Sequence, residues 1–197
     1  MRPWPPEGWP DDPNPPLFTA RLVLEPQRAG HAAEMSAVLA DPRVHTFLPS
    51  SPPHEGALRE RFARLETRSS PDGAEGWLNW VVFARIGGPA LGTVQATVRP
   101  EASEADVAYV FAPHAWGQGY ATEALTALLG FLVGEWGVRD ALAQVDTRNA
   151  ASIRLLERLG FGRSGFTPGA DVIRGTVSDE FTYRLSLDGL PSARVGA

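Results

Sequence analysis

Apolar positions recur along this chain in two patterns, and the first of them predicts β-strands. Short apolar runs rich in β-branched and aromatic residues predict strands at 21–25, 79–86, 91–98, 105–111 and 141–146. The turn segment 87–90, Gly-Gly-Pro-Ala, joins the second and third of these runs. The first part of the sheet is therefore expected to be antiparallel.

The second pattern has helical spacing and predicts helices near 28–40, 54–67 and 121–136. A shorter helix is expected to begin after Asn149, a typical N-cap residue, and to end before Gly160. Because the long helix separates the runs 105–111 and 141–146, these two strands are expected to lie parallel, joined by a right-handed crossover. The chain thus has the pattern of a mixed α/β protein.

The junction between strand 105–111 and the long helix carries the most informative chemistry. Gly117 and Gly119 stand just before the helix begins. Free N–H groups at a helix N-terminus favour an anion, and glycine lets a ligand approach the backbone closely. The loop lacks the Gly-Lys-Ser/Thr of a Walker loop, and Thr122 stands at the third glycine position of the dinucleotide fingerprint. It predicts a site for a phosphate-bearing cofactor, although a tight turn with a glycine cap would give the same pattern.

Composition excludes several classes of function. The 197 residues include no cysteine, and the four histidines share no metal-ligand spacing, so no metal site is expected. The net charge of −5 argues against a nucleic-acid partner and is compatible with a cationic amine substrate. There is no apolar run of the ~20 residues that a membrane helix needs, and no apolar signal-peptide region. We therefore expect no membrane association and a cytoplasmic location.

The chain is expected to form one domain between two tails. Residues 1–16 hold seven prolines and two tryptophans, which predicts an N-terminal tail without helix. Residues 17–188 contain all the predicted elements and are long enough for a single core. Residues 189–197 are expected to form a C-terminal tail.

Taken together, the motifs resemble those of the GNAT superfamily of acyl-CoA-dependent N-acetyltransferases. Within it they resemble the branch of ribosomal-protein N-terminal acetyltransferases (RimJ/RimL-like). The resemblance covers roughly residues 18–187 and rests on ordered matches at 21–26, 105–113, 116–124, 149–161 and at Asp179 and Tyr183. It implies a mostly antiparallel sheet with helices on both faces, in which the parallel strands 105–111 and 141–146 splay apart.

The same resemblance implies a binding site for acetyl-CoA, the acyl donor. Its pantetheine arm would lie in the gap between the splayed strands, and its pyrophosphate would rest on the N–H groups of residues 117–122. Trp116 stands where the superfamily usually has Gln or Arg, which removes one cationic contact. The implied cofactor-binding residues are Phe111, Trp116, Gly117, Gln118, Gly119, Tyr120, Ala121, Thr122 and Asn149.

Two catalytic residues are implied in addition. Acetylation needs an uncharged amine, and the RimJ/RimL pattern usually has a glutamate where this chain has Asp106, so Asp106 is implied as the base. An outward-facing strand residue is the alternative for Asp106, and Glu104 or Glu101 would replace it in a shifted register. Ser152 is implied as the proton donor to the CoA thiolate, because Leu156 stands where many members have tyrosine. For this role Tyr109 and water are the alternatives.

The predicted function is acetyl transfer from acetyl-CoA to a primary amine, by direct attack on the thioester. The amine would belong to a protein N-terminus or to a small molecule. A non-catalytic acyl-CoA-binding or sensor module on the same fold is the alternative, because Asp106 and Leu156 depart from the family pattern. The expected acceptor loops, about 43–56 and 167–178, carry no motif that identifies the amine, and the sequence also leaves open a homodimer.

Overall fold

A computed structural model describes residues 13–189, whose strands form one mixed sheet of eight strands. In chain order the strands are β1 (Leu17–Phe18), β2 (Leu22–Pro26), β3 (Gly76–Ala84), β4 (Gly92–Arg99), β5 (Glu104–Phe111), β6 (Asp140–Asp146), β7 (Gly162–Ile173) and β8 (Thr176–Ser186). Their spatial order is β1-β2-β3-β4-β5-β6-β8-β7. Neighbouring strands are antiparallel except for β5 and β6, which are parallel. The α/β class and the mixed sheet expected from the sequence are thereby confirmed.

Four α-helices pack on this sheet within the described residues. They are α1 (Ala32–Leu39), α2 (Glu55–Leu65), α3 (Tyr120–Trp136) and α4 (Ala150–Arg158). None of the helices in this part of the chain is long and apolar enough to cross a membrane. The Asn149 side chain accepts a hydrogen bond from the Ser152 N–H, and Gly160 follows α4 with a φ of 91°. The predicted N-cap and helix stop are therefore both confirmed.

The two faces of the sheet bury separate apolar clusters, and alternation along β3 assigns its side chains to them. Leu78, Trp80 and Val82 join the larger cluster, which includes the apolar faces of α3 and α4. Val81 joins the smaller one, formed with α1 and α2. Since successive side chains of a strand point to opposite faces, helices cover both faces of the sheet.

The parallel pair is joined only at its beginning. Glu104, Ala105 and Asp106 pair with Asp140, Ala141 and Leu142 of β6, and pairing between the two strands stops there. β5 continues along β4 as far as Phe111, while β6 continues along β8 as far as Asp146. The two strands therefore diverge and leave a wedge-shaped gap, as the resemblance implied.

The main error of the sequence-based assignment lies after α4. Residues 167–178, expected to form an acceptor loop, belong to the long hairpin of β7 and β8. β7 is an edge strand whose residues are almost all exposed, so it lacks the alternation that identifies a half-buried strand. Its pairing with β8 is also irregular between Thr167 and Asp171, where Pro168 cannot donate a ladder hydrogen bond.

Smaller differences concern element ends and the predicted tails. β3 spans Gly76–Ala84 rather than 79–86, and the helix expected near 28–40 is a 3₁₀ turn followed by α1. Of the predicted tails, residues 1–12 and 190–197 lie outside the described residues. Asn14 Nδ2 donates to the carbonyl of Asn79, and Trp80 Nε1 donates to that of Pro15, so these two tail residues contact β3. The domain limits 17–188 stay a prediction.

Candidate active site

The glycine loop leads from β5 into α3, and its backbone conformation requires glycine. Gly117 and Gly119 have φ of 72° and 79°, in the left-handed region that a side chain disfavours. A Cβ placed on Gly117 would meet no atom within 4 Å, so the loop borders open space. Gly119 is the N-cap of α3 and offers no side-chain acceptor. Within the described chain the N–H groups of Tyr120, Ala121 and Thr122 therefore have no acceptor and remain available to an anion.

The ion pair of Arg21 and Glu123, which we call the buttress, stabilises this loop. The Glu123 carboxylate accepts hydrogen bonds from the Thr19 hydroxyl (2.6 Å), the Arg21 N–H (2.9 Å) and Arg21 Nε (2.6 Å). Arg21 Nη1 donates to the carbonyl of Gln118 at 3.0 Å, and its guanidinium lies 4.7 Å from the centre of the Tyr120 ring. Burial opposes ionisation of Glu123, but the hydrogen bonds from Thr19 and Arg21 outweigh it and lower the pKa of the carboxyl. The buttress thus fixes both the loop and the start of α3.

A cavity of about 530 Å³, which we call the donor cavity, lies between the glycine loop, β5 and α4. Most of the sequence-predicted cofactor residues line it, namely Phe111, Trp116, Gly117, Gly119, Tyr120, Ala121, Thr122 and Asn149. Gln118 does not line it, because its side chain donates to the carbonyl of His114. Arg43 and Arg158 line this cavity and no acidic residue among the described ones does. Neither arginine was predicted from the sequence as a site residue. Arg158 lies three positions after Leu155 and seven after Ala151, on one face of α4, a spacing that could have indicated it.

Backbone groups of β5 also face the wedge. The Ala112 N–H points toward β4, since it donates to the carbonyl of Leu91, the residue just before that strand. The backbone groups of successive residues in a strand point in alternate directions. The N–H and C=O groups of Val107, Tyr109 and Phe111 therefore point away from β4, toward the gap left by β6. The carbonyl of Phe111 accepts a hydrogen bond from Trp116 Nε1 at 2.7 Å, so Tyr109 and the Phe111 N–H offer the uncommitted groups.

Two hydroxyl groups meet at the inner end of the donor cavity. Tyr109 Oη and Ser152 Oγ lie 2.5 Å apart, and either can donate. Asn149 Oδ1 accepts the Ser152 N–H at 3.1 Å and so fixes the first turn of α4 beside Tyr109. Burial raises the pKa of the Tyr109 hydroxyl above its ordinary value, and the hydrogen bond with Ser152 offsets this only in part. Tyr109 therefore keeps its proton at neutral pH, and we call Tyr109 and Ser152 the hydroxyl pair.

Asp106 is not brought to the hydroxyl pair. It lies three residues before Tyr109 on β5, hence on the opposite face of the strand. Its carboxylate forms an ion pair with Arg99 Nη1 and lines neither the donor cavity nor the cavity described next. Glu104, the alternative in a shifted register, is paired with Arg99 and Arg184. The two catalytic residues implied by the resemblance are thus separated in space.

A second cavity of about 190 Å³, the acceptor cavity, lies on the other side of the hydroxyl pair. Five residues line both cavities, which therefore adjoin each other, namely Phe47, Leu48, Tyr109, Asn149 and Ser152. Three carboxylates line the acceptor cavity, those of Asp146, Asp171 and Glu180, and no Lys, Arg or His among the described residues does so. The charge of the acceptor cavity is thus opposite to that of the donor cavity.

Asp146 is a fixed anion in this cavity. The side chain is buried, and it accepts hydrogen bonds from Arg148 Nε (2.9 Å), Arg148 Nη2 (2.6 Å) and Ser178 Oγ (2.6 Å). The bond with Arg148 is the main reason that the pKa of Asp146 falls to about 2. None of the three carboxylates was predicted as a site residue, although Asp171 lies within the segment 167–178 that was expected to form an acceptor loop. Asp146 offered a second signal, since it ends a parallel strand, where ligands of α/β sheets gather.

The segment 43–50 forms a wall that both cavities share. His45 is buried within it, with Nδ1 2.7 Å from the carbonyl of Ser50 and Nε2 2.8 Å from that of Leu39. These contacts tie the segment to the end of α1 and hold Phe47 and Leu48 over the junction of the cavities. Part of the expected acceptor loop 43–56 therefore does lie at the site.

Comparison with known proteins finds relatives that match most of the chain. A family model described as an acetyltransferase (GNAT) domain matches residues 21–162. A protein from Bacillus licheniformis named as the uncharacterized N-acetyltransferase p20 is 22% identical over 170 residues, which cover 86% of this chain and 94% of that protein.

Solved structures share the fold over most of the chain. Spermidine N-acetyltransferase from Vibrio cholerae, in complex with CoA and spermine, has a TM-score of 0.74 at 17% identity, with 86% of this chain and 98% of that one covered. The ribosomal α-N-protein acetyltransferase RimL, in complex with coenzyme A, has a TM-score of 0.77 at 17% identity, with 88% and 98% covered. At these identities the likeness shows the fold alone.

Proposed function

The chain belongs to the GNAT acetyltransferase family, and we propose that it transfers an acetyl group from acetyl-CoA to a primary amine, which attacks the thioester directly. One observation carries the proposal. Two adjoining cavities of opposite charge meet at the Tyr109–Ser152 hydroxyl pair. An anionic donor suits the cavity with two arginines, and a cationic acceptor suits the cavity with three carboxylates.

The residues of the donor cavity fit an acyl-CoA. The N–H groups of residues 117–122 would hold the pyrophosphate, at the positive end of the α3 dipole. Arg43 and Arg158 would add the positive charge that Trp116 does not supply. The uncommitted groups of Tyr109 and Phe111 would pair with the amides of the pantetheine arm, as a neighbouring strand would.

When bound, acetyl-CoA supplies an acetyl group activated as a thioester. Ser152 then donates a hydrogen bond to the leaving sulfur, and Tyr109 supplies the proton through Ser152 or directly. The α4 N-terminus adds positive potential at the same point. Phe47 and Leu48 cover the junction and limit the access of water. For Asp106 we propose a structural role in the ion pair with Arg99.

We further propose that the chain belongs to the RimJ/RimL-like branch, on the motifs at 105–113, 116–124 and 149–161. According to their names, one of the structural relatives described above acts on spermidine and the other on a protein α-amino group. These are the acceptor classes to examine first. The non-catalytic acyl-CoA-binding module is the outcome to be separated from the enzyme.

A combined binding and turnover experiment tests the proposal. Thermal unfolding with and without acetyl-CoA measures binding, and thiol release from acetyl-CoA measures turnover with spermidine, amino-acid amides and short peptides. We expect stabilisation by acetyl-CoA and amine-dependent thiol release. Binding without turnover on any amine would identify a non-catalytic module, and the absence of both would refute the donor site.

A further inference from the structure

We propose that Glu180 is a catalytic residue, which binds the ammonium group of the acceptor and accepts its proton before the amine attacks. The proposal rests on the proposed acetyl transfer and assigns the base that this reaction needs. Asp106 was implied for this role by resemblance, but it is paired with Arg99 and lines neither cavity. A base has to face the cavity that holds the amine.

Glu180 faces that cavity. It lies on β8 between Asp146 of β6 and Thr167 of β7, with both of which it is in register. Its side chain is partly buried and lines the acceptor cavity beside Ser178, which is buried two residues earlier on the same face of the strand. Tyr109 and Ser152 line the same cavity, at its junction with the donor cavity.

The carboxylate of Glu180 has no compensating partner in the described chain. Its neighbours Asp146 and Asp179 are hydrogen-bonded, the first to Arg148 and Ser178 and the second to the Gly169 N–H. Among residues 13–189, the Glu180 side chain makes no hydrogen bond or ion pair. Like charges placed directly opposite on neighbouring strands are destabilising. An acceptor ammonium group would remove this repulsion, which gives the arrangement a function.

The environment also suits a proton acceptor. Burial raises the pKa of the Glu180 carboxyl above its usual value, and the charges of Asp171 and Asp146 raise it further. Asp146, with a pKa of about 2, stays charged and cannot usefully take a proton. The groups facing Glu180 are thus Asp146 from β6, with Arg148 bound to it, and Asp171 from β7. A base whose pKa lies closer to the working pH is the more effective one.

The proton and electron balance is simple. The ammonium nitrogen gives one proton to Glu180, and the freed lone pair forms a bond to the thioester carbonyl carbon. The C–S bond breaks with its electron pair on sulfur, and the second nitrogen proton ends on that sulfur by way of the hydroxyl pair. The products are the acetamide and CoA thiol, and Glu180 returns its proton to water.

The arrangement also defines the acceptor class. The three carboxylates of the acceptor cavity would repel an amine that carries its own carboxylate close to the nitrogen. We therefore expect amines without an adjacent carboxylate, such as amino-acid amides, peptide N-termini or polyamines, rather than free amino acids. Leucinamide and leucine form a matched pair of probes, since they differ only at this group.

The test compares Glu180→Gln with the wild-type protein. We expect kcat/KM for leucinamide and for spermidine to fall by ~10²-fold or more, with acetyl-CoA affinity unchanged. The wild-type protein should prefer leucinamide to leucine by at least ~10-fold, and this preference should shrink in the variant. Glu180→Asp, which keeps the carboxylate, should recover part of the activity. Glu60→Gln, an exposed residue of α2, makes the same change in net charge and should leave kcat/KM unaltered.

A stability measurement separates catalysis from a structural role. Since the pKa of Glu180 is raised in the fold, its ionised form costs stability above that pKa. Glu180→Gln should therefore raise the unfolding temperature at pH 8 while turnover falls, whereas loss of a structural residue would lower both. If Glu180→Gln has a near-normal kcat/KM while the chemical step limits the rate, the assignment is overturned. If the wild-type protein acetylates no amine, the proposed function fails first, and this assignment with it.

Discussion

The two ends of the β5–β6 pair use carboxylates in opposite ways. At the closed end, where the strands still pair, Asp106, Glu104 and Asp140 lie among Arg99 and Arg184. At the open end, where the strands diverge, Glu180 faces Asp146 and Asp171, and Arg148 is bound to Asp146. Each carboxylate of the closed end has a cation, whereas Glu180 has none in the described chain.

This difference decides which carboxylate can do chemistry. An arginine beside a carboxylate already supplies the compensating positive charge, so that the group has little need of a substrate cation. Neighbouring carboxylates do the opposite, and they leave the group ready to bind a cation or a proton. A position in the sequence motif identifies a carboxylate near the cleft, but its partners determine its role.

The largest effect is expected from a substitution in the glycine loop, at the open end of the β5–β6 pair. Gly119→Val places a β-branched side chain at a φ of 79°, in the loop that would hold the pyrophosphate. Strain of about 1–3 kcal/mol and the loss of close approach should together weaken acetyl-CoA binding by ~10²-fold. Isothermal titration calorimetry measures the affinity.

A matched control is available on the same helix. Gly137 ends α3 with a φ of 61°, and a Cβ there would meet no atom within 4 Å. Gly137→Val should therefore lower stability by a similar amount and leave acetyl-CoA affinity as it is. If Gly119→Val binds acetyl-CoA as tightly as the wild-type protein, the pyrophosphate lies elsewhere.

The hydroxyl pair should give a smaller effect. Ser152→Ala and Tyr109→Phe each remove one member of a hydrogen-bonded unit, and each should lower kcat by ~10-fold, toward the low end of acid–base effects. The kcat of the double variant should be little lower than that of the less active single variant, because the effects of removing residues that act as a unit are not additive. Ser152→Ala should leave the helix cap intact, because Asn149 Oδ1 accepts its hydrogen bond from the backbone N–H of Ser152. Unchanged kcat in both, with chemistry limiting, would leave the pair only a packing role.

The two regions also differ in how far the sequence could predict them. The donor side depends on local signals: Gly117 and Gly119 precede a helix with clear periodicity, and Asn149 caps the next helix. Such features are set by neighbours in the chain, so the loop, both helices and the strand pair were predicted correctly. Asp106 shows where local signals fail. Strand alternation allowed its side chain to lie on either face of the sheet, and its environment is decided by Arg99, which lies on the neighbouring strand β4.

The acceptor side depends on contacts between distant segments. Glu180 meets Asp146 only because β8 pairs with β6 in one register, and the exposed edge strand β7 gave no periodic signal. The wall at 43–50 is held by His45 through two backbone carbonyls, which no side-chain pattern predicts. These residues come together through tertiary pairing, and a single sequence does not fix that pairing.

Stability as a function of pH should report both kinds of carboxylate. The raised pKa of Glu180 contributes stability that is complete below its unfolded pKa, near 4.5, and is lost as the pH rises through its folded value. The lowered pKa of Asp146 contributes stability that is present above about 3.8 and is lost as the pH falls toward 2. Thermal unfolding should be measured from pH 3 to 8. As the pH is lowered from neutral, the unfolding temperature of the wild-type protein should rise, and that of Glu180→Gln should rise less. Identical profiles would mean that Glu180 is solvated like an ordinary glutamate.

The smallest expected effect is at the closed end, and it separates the two hypotheses for the base. Asp106→Asn removes one partner of Arg99, which keeps Glu104 as a second partner. Both side chains of the pair are about a third exposed, so the free energy of unfolding should fall by no more than about 1 kcal/mol. Turnover should stay within about threefold of the wild-type value, because Asp106 does not reach either cavity, whereas a lost general base would cost ~10²-fold. Measuring kcat/KM of Asp106→Asn and Glu180→Gln side by side decides the question. A large loss in the first and a small one in the second would return the role of base to Asp106, and would mean that the wedge rearranges when substrate binds.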